Sequence, residues 1–230
     1  MSGNLYGVSV GPGDPELLTF KAVRFIRQCP VIAVPQSGAQ EEPMALSIAR
    51  QVVPEILEKE LLELPLPMTR DSDELERAHK AAVDAICFYL RKGMDVAFLT
   101  LGDVSIYSTY GHLCERVRAC GFEAEMISGV PSFCAAAARI GETLAIAGKP
   151  LQILPASYHG LEEGLRRAGT KVLMKTGHSL RAVKEKLREL GLYEKAKLVE
   201  NCGLPDEHIY HSLDQVGEEA GYFSLIVVQE

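Results

Sequence analysis

The chain has 230 residues, of which 47% are hydrophobic and 24% are charged, and its formal net charge is −7 at pH 7. Such a length and composition suit a globular protein with one large core or two small ones, and no apolar run approaches the ~20 residues of a membrane-spanning helix. The acidic balance argues against nonspecific nucleic-acid binding, which depends on a basic surface. Because the first residues contain neither a basic leader nor an apolar signal segment, we expect a cytoplasmic protein.

The six cysteines and six histidines are scattered and include no C-x-x-C pair. We interpret the cysteines as reduced, mostly core residues, and expect no metal site. His208 and His211 could share one face of a helix, but we do not expect a structural zinc site there.

Short apolar runs alternate with helix-like segments along the chain, which predicts an α/β fold containing parallel strands. The predicted strands are residues 5–10, 31–34, 95–101, 122–127, 152–155, 171–174, 196–201 and 223–229. The predicted helices are residues 16–28, 71–92, 109–120, 133–140 and 161–168, with one more starting near residue 179. We expect two domains, residues 1–121 and 122–230, although no flexible linker marks the boundary.

Two of the helices have specific sequence features. The helix over 71–92 begins with a capping-box-like pair, Asp71 and Glu74, and Gly93 supplies its stop. The helix over 16–28 has apolar residues close to helical spacing, namely Leu17, Phe20, Val23 and Ile26.

Four turns that follow predicted strands are candidate binding loops, because open α/β sheets bind ligands at the carboxyl ends of their strands. The first three are residues 11–15, 102–107 and 128–133. The fourth is a pair of turns considered together, residues 174–175 and residues 201–205. The first lacks the third glycine of a dinucleotide fingerprint and the lysine of a P-loop, so phosphate binding is a poor interpretation and a tight turn before the helix is favoured. In the second, Gly102 would allow close approach of a ligand, whereas Asp103 could either bind a ligand or cap the next helix. None of these turns decides the function alone.

Their order and combination resemble the tetrapyrrole methylase family over nearly the whole chain. The motifs that carry the resemblance are VGPGDPELLT, LTLGDVSIYST, SGVPSFCAAAARIG, VLMK, ENCGLPDE and YFSLIVV. GDVSIYST in particular is similar to the C-20 methylating branch of cobalamin biosynthesis, since other branches usually have proline in place of Val104. Ser9, where many relatives have glycine, and Ser128, where many have proline, depart from the family pattern.

The resemblance implies two α/β domains of the tetrapyrrole methylase type, with an active-site cleft between them that holds S-adenosylmethionine and yields S-adenosylhomocysteine. The expected cofactor contacts are Pro35, Gly102, Asp103, Ile106, Ser132, Phe133, Met174, Cys202, Gly203 and Leu204. The first domain would supply the tetrapyrrole trough, bordered by Gly11, Pro12, Gly13 and Asp14, and the second would complete the cofactor site. The family also implies a homodimer.

The expected reaction is methyl transfer to C-20 of precorrin-2 or of cobalt-factor II. Asp14, Asp103 and Tyr107 are conceivable acceptors of the proton that leaves C-20, but the sequence selects none of them. Lys21, Arg24 and Lys175 could bind the carboxylates of the substrate or could be solvated surface charges. Alternatives that stay open are another tetrapyrrole C-methyltransferase, such as one acting on uroporphyrinogen III, and a non-catalytic tetrapyrrole carrier.

Overall fold

The computed structural model describes residues 2–36, 43–69, 71–156 and 160–229. The chain divides into two units, residues 1–131 and 132–230, each built around its own five-stranded sheet. None of the helices in these described ranges combines the length and the apolar character that crossing a lipid bilayer requires.

The first unit is a parallel sheet with strand order β3-β2-β4-β1-β5. Its strands are β1 (Leu5–Ser9), β2 (Val31–Gln36), β3 (Glu60–Pro65), β4 (Val96–Thr100) and β5 (Ala124–Ile127). Its helices are α1 (Phe20–Gln28), α2 (Met44–Val52), α3 (Ser72–Arg91) and α4 (Tyr110–Ala119). The helices cover both faces: α1 and α2 contribute to one apolar cluster, and α3 and α4 to the other. Successive residues of a strand therefore enter opposite clusters, as strand geometry requires.

The second unit is a mixed sheet with strand order β6-β7-β10-β8-β9. Its strands are β6 (Leu151–Pro155), β7 (Thr170–Met174), β8 (Ala196–Glu200), β9 (His208–Tyr210) and β10 (Ser224–Val228). Its helices are α5 (Ser132–Ile140), α6 (Leu161–Arg166) and α7 (Leu180–Glu189). β6 and β7 are parallel, whereas β10 runs antiparallel to both of its neighbours. α5 packs on β8 and β10, and three of its buried residues are alanines.

The α/β prediction is confirmed, and so is the start of α3. Asp71 is the N-cap of that helix, and its carboxylate accepts hydrogen bonds from the main-chain N–H groups of Asp73 and Glu74. Gly93 lies just beyond the end of the helix with a φ of 75°, a conformation that glycine adopts at little cost.

The predicted start of the first helix is wrong. Pro15–Leu17 forms a separate 3-10 turn, and α1 begins only at Phe20, after the N-cap Thr19. The shorter helix buries Ala22 and Ile26 and leaves Phe20 97% exposed. The mistake followed from extending one helical period across two distinct elements.

Three elements were not predicted: α2, β3 and β9. α2 does have a helical pattern, since Ala45, Leu46, Ile48 and Ala49 are all buried. β3 is an edge strand with two exposed glutamates, Glu60 and Glu63, and β9 has only three residues. Because His208 lies in β9, the predicted helical face shared by His208 and His211 does not exist.

The end of the first unit lies later in the chain than the expected boundary at residue 121. β5 pairs in parallel with β1, so that Leu5 is opposite Ala124 and Val8 is opposite Ile127. The contacts of β5 therefore assign it to the first sheet, and the division follows Pro131.

Candidate functional site

In the first unit, the parallel strands bring several predicted site residues to one edge of the sheet. β4 lies between β1 and β2; Gly11 and Gly102 follow the carboxyl ends of β1 and β4, and Pro35 is the penultimate residue of β2. Loops at this edge are where open α/β sheets bind ligands.

Gly11 and Gly102 join the loops that follow β1 and β4. The N–H of Gly102 donates to the carbonyl oxygen of Gly11 at 2.7 Å, and the N–H of Gly11 donates to the carbonyl oxygen of Gly102 at 3.3 Å. Their φ angles are 76° and 72°. A side chain would be strained at either position, so glycine is the residue that permits this bridge.

Asp103 ties the loop after β4 to the loop after β5. Its Oδ1 accepts the N–H of Ser105 at 2.8 Å and the hydroxyl of Ser105 at 2.5 Å, and its Oδ2 accepts the N–H of Gly129 at 2.7 Å. Burial alone would raise the pKa of the Asp103 carboxyl, but these hydrogen bonds outweigh burial and lower the pKa. Asp103 therefore stabilises these turns. It does not cap the next helix, because the N-cap residue of α4 is Thr109.

Ser9, a predicted departure from the family pattern, and Val104, from the motif that resembles the C-20 branch, contact each other. The main-chain N–H of Val104 donates to the Ser9 hydroxyl oxygen at 2.8 Å. Ser9 is fully buried and Val104 is 2% exposed. The hydrogen bond requires a side-chain acceptor at position 9, which glycine lacks, and a residue other than proline at position 104, because proline has no N–H.

The remaining predicted residues of the first unit differ in exposure. Gly11, Pro12 and Gly13 are buried, whereas Asp14 is half-buried and accepts the N–H of Glu16. Pro35 and Ile106 are half-buried as well. Tyr107, one of the conceivable proton acceptors, is 48% exposed.

In the second unit, the loops after β7 and β8 lie on either side of the start of β10. Met174 is opposite Leu225, and Glu200 is opposite Ser224. The Thr176 and Ser224 hydroxyl oxygens are 2.8 Å apart, and the N–H of Asn201 donates to the carbonyl oxygen of Phe223 at 3.1 Å. The topology thus brings Met174 and the segment Cys202–Leu204 to the same edge of the second sheet.

Backbone strain concentrates in these loops. Within the described ranges, the non-glycine residues with positive φ are Tyr107 at 47°, Lys175 at 59° and Asn201 at 51°. Each follows the carboxyl end of a strand next to an expected cofactor contact. Residues in such sparsely populated conformations cluster at functional sites, so this observation supports the predicted loops independently of their sequence motifs.

Glu207 holds the loop that contains Cys202, Gly203 and Leu204. Its Oε2 accepts the N–H of Gly203 at 2.6 Å and the Nε–H of Arg139 at 3.0 Å. Cys202 is buried, whereas Gly203 and Leu204 are half-buried. Arg139 belongs to α5, which begins with the expected contacts Ser132 and Phe133, so one ion pair connects two predicted parts of the site.

The sequence reasoning missed Glu207, Arg139 and Gly129 as parts of the site. Gly129 has no room for a side chain, because a Cβ atom there would lie 2.4 Å from the Cβ of Ser9. The motif SGVPS contained this glycine, but nothing in a single sequence says that it faces the loop after β1. Glu207 and Arg139 are distant in sequence, and their pairing depends on how α5 packs.

The other titratable and metal-ligating groups of the described residues give little indication of a second functional site. No group of three or more histidine, cysteine or carboxylate residues in the described ranges is arranged to hold a metal ion. All six cysteines are free thiols, and burial raises the pKa of Cys29 to about 12 and that of Cys87 to about 11. The side chains of Lys21 and Arg24 lie near the Phe25 ring, with Arg24 Cζ 5.2 Å from the ring centroid.

Comparison with known proteins identifies relatives along the full chain. The sequence model of the tetrapyrrole (corrin/porphyrin) methylases matches residues 4–216. A cobalt-precorrin-2 C(20)-methyltransferase of Salmonella typhimurium is 32% identical, with 100% of this chain and 98% of the relative covered. A precorrin-2 C(20)-methyltransferase of a Sinorhizobium species is 33% identical, with coverage of 98% and 95%.

Solved structures show the same fold. A uroporphyrin-III C-methyltransferase of Thermus thermophilus is 25% identical with a TM-score of 0.71, covering 100% of this chain and 93% of that one. A structure of a uroporphyrin-III C-methyltransferase from that organism in complex with S-adenosylhomocysteine is 22% identical, has a TM-score of 0.72 and covers 99% and 98%. Together with the family match and the full-length relatives, the fold places this chain in the tetrapyrrole methylase family.

Proposed function

We propose that this chain transfers a methyl group from S-adenosylmethionine to C-20 of precorrin-2 or of its cobalt-containing counterpart, in cobalamin biosynthesis. The observation that carries the proposal is the full-length similarity, at 32% and 33% identity, to relatives that are both named C(20)-methyltransferases. One of the two relatives is named for the cobalt-containing substrate and the other for precorrin-2. The proposal therefore leaves the metal state of the ring to experiment.

The chemistry of the expected cofactor contacts fits S-adenosylmethionine. They comprise neutral residues and one carboxylate, Asp103, so none of them would repel a sulfonium cation. In the second unit, Met174 and Leu204 are half-buried apolar side chains, which suit an adenine ring. When bound, S-adenosylmethionine supplies a methyl group that its sulfonium has already activated.

The task of the protein is then mainly to position the reactants. Holding reacting atoms ~3–3.5 Å apart and in line lowers a barrier by ~7–11 kcal/mol. The loops described above are suited to this task, because the Gly11–Gly102 bridge and the hydrogen bonds of Asp103 and Glu207 restrict their main chains. The assignment of individual cofactor and tetrapyrrole contacts stays a prediction, as does the choice of proton acceptor.

Anionic carboxylates of a tetrapyrrole require cationic or N–H partners. Lys21 and Arg24 are exposed on α1, which follows the loop expected to border the tetrapyrrole, and Lys175 is exposed directly after β7. No ion pair connects Lys21 or Arg24 to a carboxylate within the described residues. Both therefore stay candidates for substrate binding.

We further propose that the protein acts in the cytoplasm as a homodimer. The acidic composition suits a protein that binds a small molecule rather than nucleic acid. Family resemblance is the support for the dimer.

The proposed regiochemistry is tested by offering the protein uroporphyrinogen III and precorrin-2 separately, each with methyl-labelled S-adenosylmethionine. We expect label in precorrin-2 and essentially none in uroporphyrinogen III. Preferential labelling of uroporphyrinogen III would contradict the proposal and favour a C-2/C-7 methyltransferase. Binding of precorrin-2 without binding of S-adenosylmethionine would instead indicate a carrier.

A further inference from the structure

We propose that Ser9 is a positioning residue for S-adenosylmethionine, acting through its hydrogen bond to the main chain of Val104. The inference rests on the proposed function, because it concerns the loop after β4 that is expected to contact the cofactor. Ser9 itself would touch neither reactant. Its hydroxyl would determine where the neighbouring residues Gly102, Asp103 and Ile106 are placed.

The hydrogen bond is placed where its loss would be costly. Ser9 is fully buried and Val104 is 2% exposed, so water does not readily replace either partner. The N–H of Val104 lies 2.8 Å from the Ser9 hydroxyl oxygen, which is good geometry for a hydrogen bond. A buried main-chain N–H that loses its acceptor must find another partner or move. Movement of Val104 would shift Asp103, to which it is joined.

The side chain of Ser9 also lies where the end of β1 meets the loops after β4 and β5. The Ser9 residue ends β1, Val104 belongs to the loop after β4, and Gly129 belongs to the loop after β5. A Cβ atom at Gly129 would lie 2.4 Å from the Cβ of Ser9 and 3.0 Å from the carbonyl oxygen of Gly102. Asp103 connects the loop after β4 directly to the loop after β5, because its Oδ2 accepts the N–H of Gly129 at 2.7 Å. A change at Ser9 is therefore transmitted to both the loop after β4 and the loop after β5.

Thr100 has a buried hydroxyl at the same edge of the sheet, but that hydroxyl forms no hydrogen bond to the loops within the described residues. It lies opposite Ser9 in the β1–β4 pairing and is 8% exposed. Its hydroxyl oxygen nevertheless has no hydrogen-bond partner within the described part of the chain. Thr100→Val removes that hydroxyl with almost no change of shape, so it is a matched control for Ser9→Ala.

The test is a double-mutant cycle on the dissociation constant for S-adenosylmethionine, measured by calorimetry on variants whose folding is checked by thermal unfolding. Ser9→Ala removes the acceptor, and Val104→Pro removes the donor because proline has no N–H. We expect Ser9→Ala to weaken binding about tenfold in the wild-type background. In the Val104→Pro background the same change is expected to have little effect, because the bond is already absent.

Two further measurements accompany the cycle. Thr100→Val should leave the dissociation constant within about twofold of wild type, since no hydrogen bond is lost. In Ser9→Ala, hydrogen exchange at the Val104 amide should become faster than in wild type, and this measurement does not require Val104→Pro to fold.

The possible results distinguish a failure of the proposed role of Ser9 from a failure of the proposed function. An equal loss of affinity from Ser9→Ala in both backgrounds would assign the effect to packing and overturn the role of the hydrogen bond. Unchanged affinity in Ser9→Ala would also overturn that role while leaving the proposed function in place. Absence of S-adenosylmethionine binding by the wild-type protein would overturn the proposed function together with the role of Ser9.

Discussion

The carboxylate of Asp103 is held by hydrogen bonds from Ser105 and Gly129, and this arrangement predicts a specific pH dependence. The pKa of Asp103 is lowered relative to an ordinary aspartate, because these hydrogen bonds outweigh the effect of burial. In the pH range between the ordinary pKa, about 4, and the lowered value, the unfolded chain binds more protons than the folded one. The stabilisation is therefore present at neutral pH and is lost as the pH falls through the lowered pKa.

We expect wild type to be more stable than Asp103→Asn at pH 7, and the difference to shrink as the pH falls below about 4. Thermal unfolding of both proteins across this pH range measures the effect. A difference in melting temperature that does not change with pH would show that the charge of Asp103 does not provide the stabilisation.

A second prediction at this scale concerns Glu207, which accepts hydrogen bonds from Gly203 and Arg139. Glu207 has a side-chain exposure of 17%, and Arg139 has one of 50%. Glu207→Ala leaves the N–H of Gly203 without its acceptor and should cost about 1–3 kcal/mol, whereas Arg139→Ala should cost under about 1 kcal/mol because an exposed ion pair contributes little. Denaturant unfolding measures both values. An equal or larger loss in Arg139→Ala would contradict this ranking.

Single residues differ in how far the sequence predicts their environment. Asp71 was correctly assigned as a helix cap because capping is local: the carboxylate and both N–H donors lie within three residues. Phe20 fits the helical spacing of Val23 and Ile26 but is exposed, since its exposure depends on where α1 begins. The contact between Ser9 and Val104 spans 95 positions in the sequence. No periodicity can reveal such a contact before the strand order is known.

At the scale of elements, the packing of α4 against β1 depends on the absence of a side chain at Gly7. A Cβ atom at Gly7 would lie 2.6 Å from the ring of Tyr110, which is fully buried and donates its hydroxyl to the carbonyl oxygen of Glu125 at 2.6 Å. The ring therefore fills the space above β1 and is fixed at its far end by β5. The parallel pairing of β1 and β5 brings these groups together.

Gly7→Ala is expected to destabilise the protein by about 1–3 kcal/mol through overpacking. Gly111→Ala in α4 is a matched control, because its Cβ would have no neighbour within 4 Å. We expect that control to be neutral or to stabilise by up to about 1 kcal/mol, as alanine is a better helix former than glycine. Chemical denaturation measures the free energy of unfolding of both variants. Equal stability of Gly7→Ala and wild type would contradict the described packing.

Element types were predicted best where the sequence pattern was long or strongly apolar. α3, with 20 residues, and β4, whose five residues are all buried, were both predicted correctly. β3 was missed because, as an edge strand, it has exposed glutamates that weaken its apolar pattern. β9 is too short to give a pattern, and its pairing with β8 provides its stability.

At the scale of the whole molecule, the sequence indicated the family better than it indicated the course of the chain. The recognisable motifs lie in loops with positive φ angles, such as those of Gly11, Gly102, Asn201 and Gly203, and a positive φ is a local preference of glycine and asparagine. The end of the first unit, in contrast, is determined by the pairing of β5 with β1, a long-range contact. A family motif therefore predicts a loop reliably but says little about which sheet the next strand joins.

The proposed homodimer predicts a sedimentation-equilibrium mass of twice that of one chain at micromolar concentration. The mass should not change on dilution well into the nanomolar range if the dimer is obligate. A mass of one chain throughout would contradict the proposed assembly, although it would leave the enzymatic proposal untouched.

The most direct test of the central claim is to locate the transferred methyl group on the tetrapyrrole. The protein is incubated with ¹³C-methyl S-adenosylmethionine and either metal-free precorrin-2 or cobalt-factor II, and the product is examined by NMR. Our account predicts a single labelled methyl group at C-20 with at least one of the two substrates, together with formation of S-adenosylhomocysteine. Label at any other ring position, or no transfer to either substrate, would contradict it.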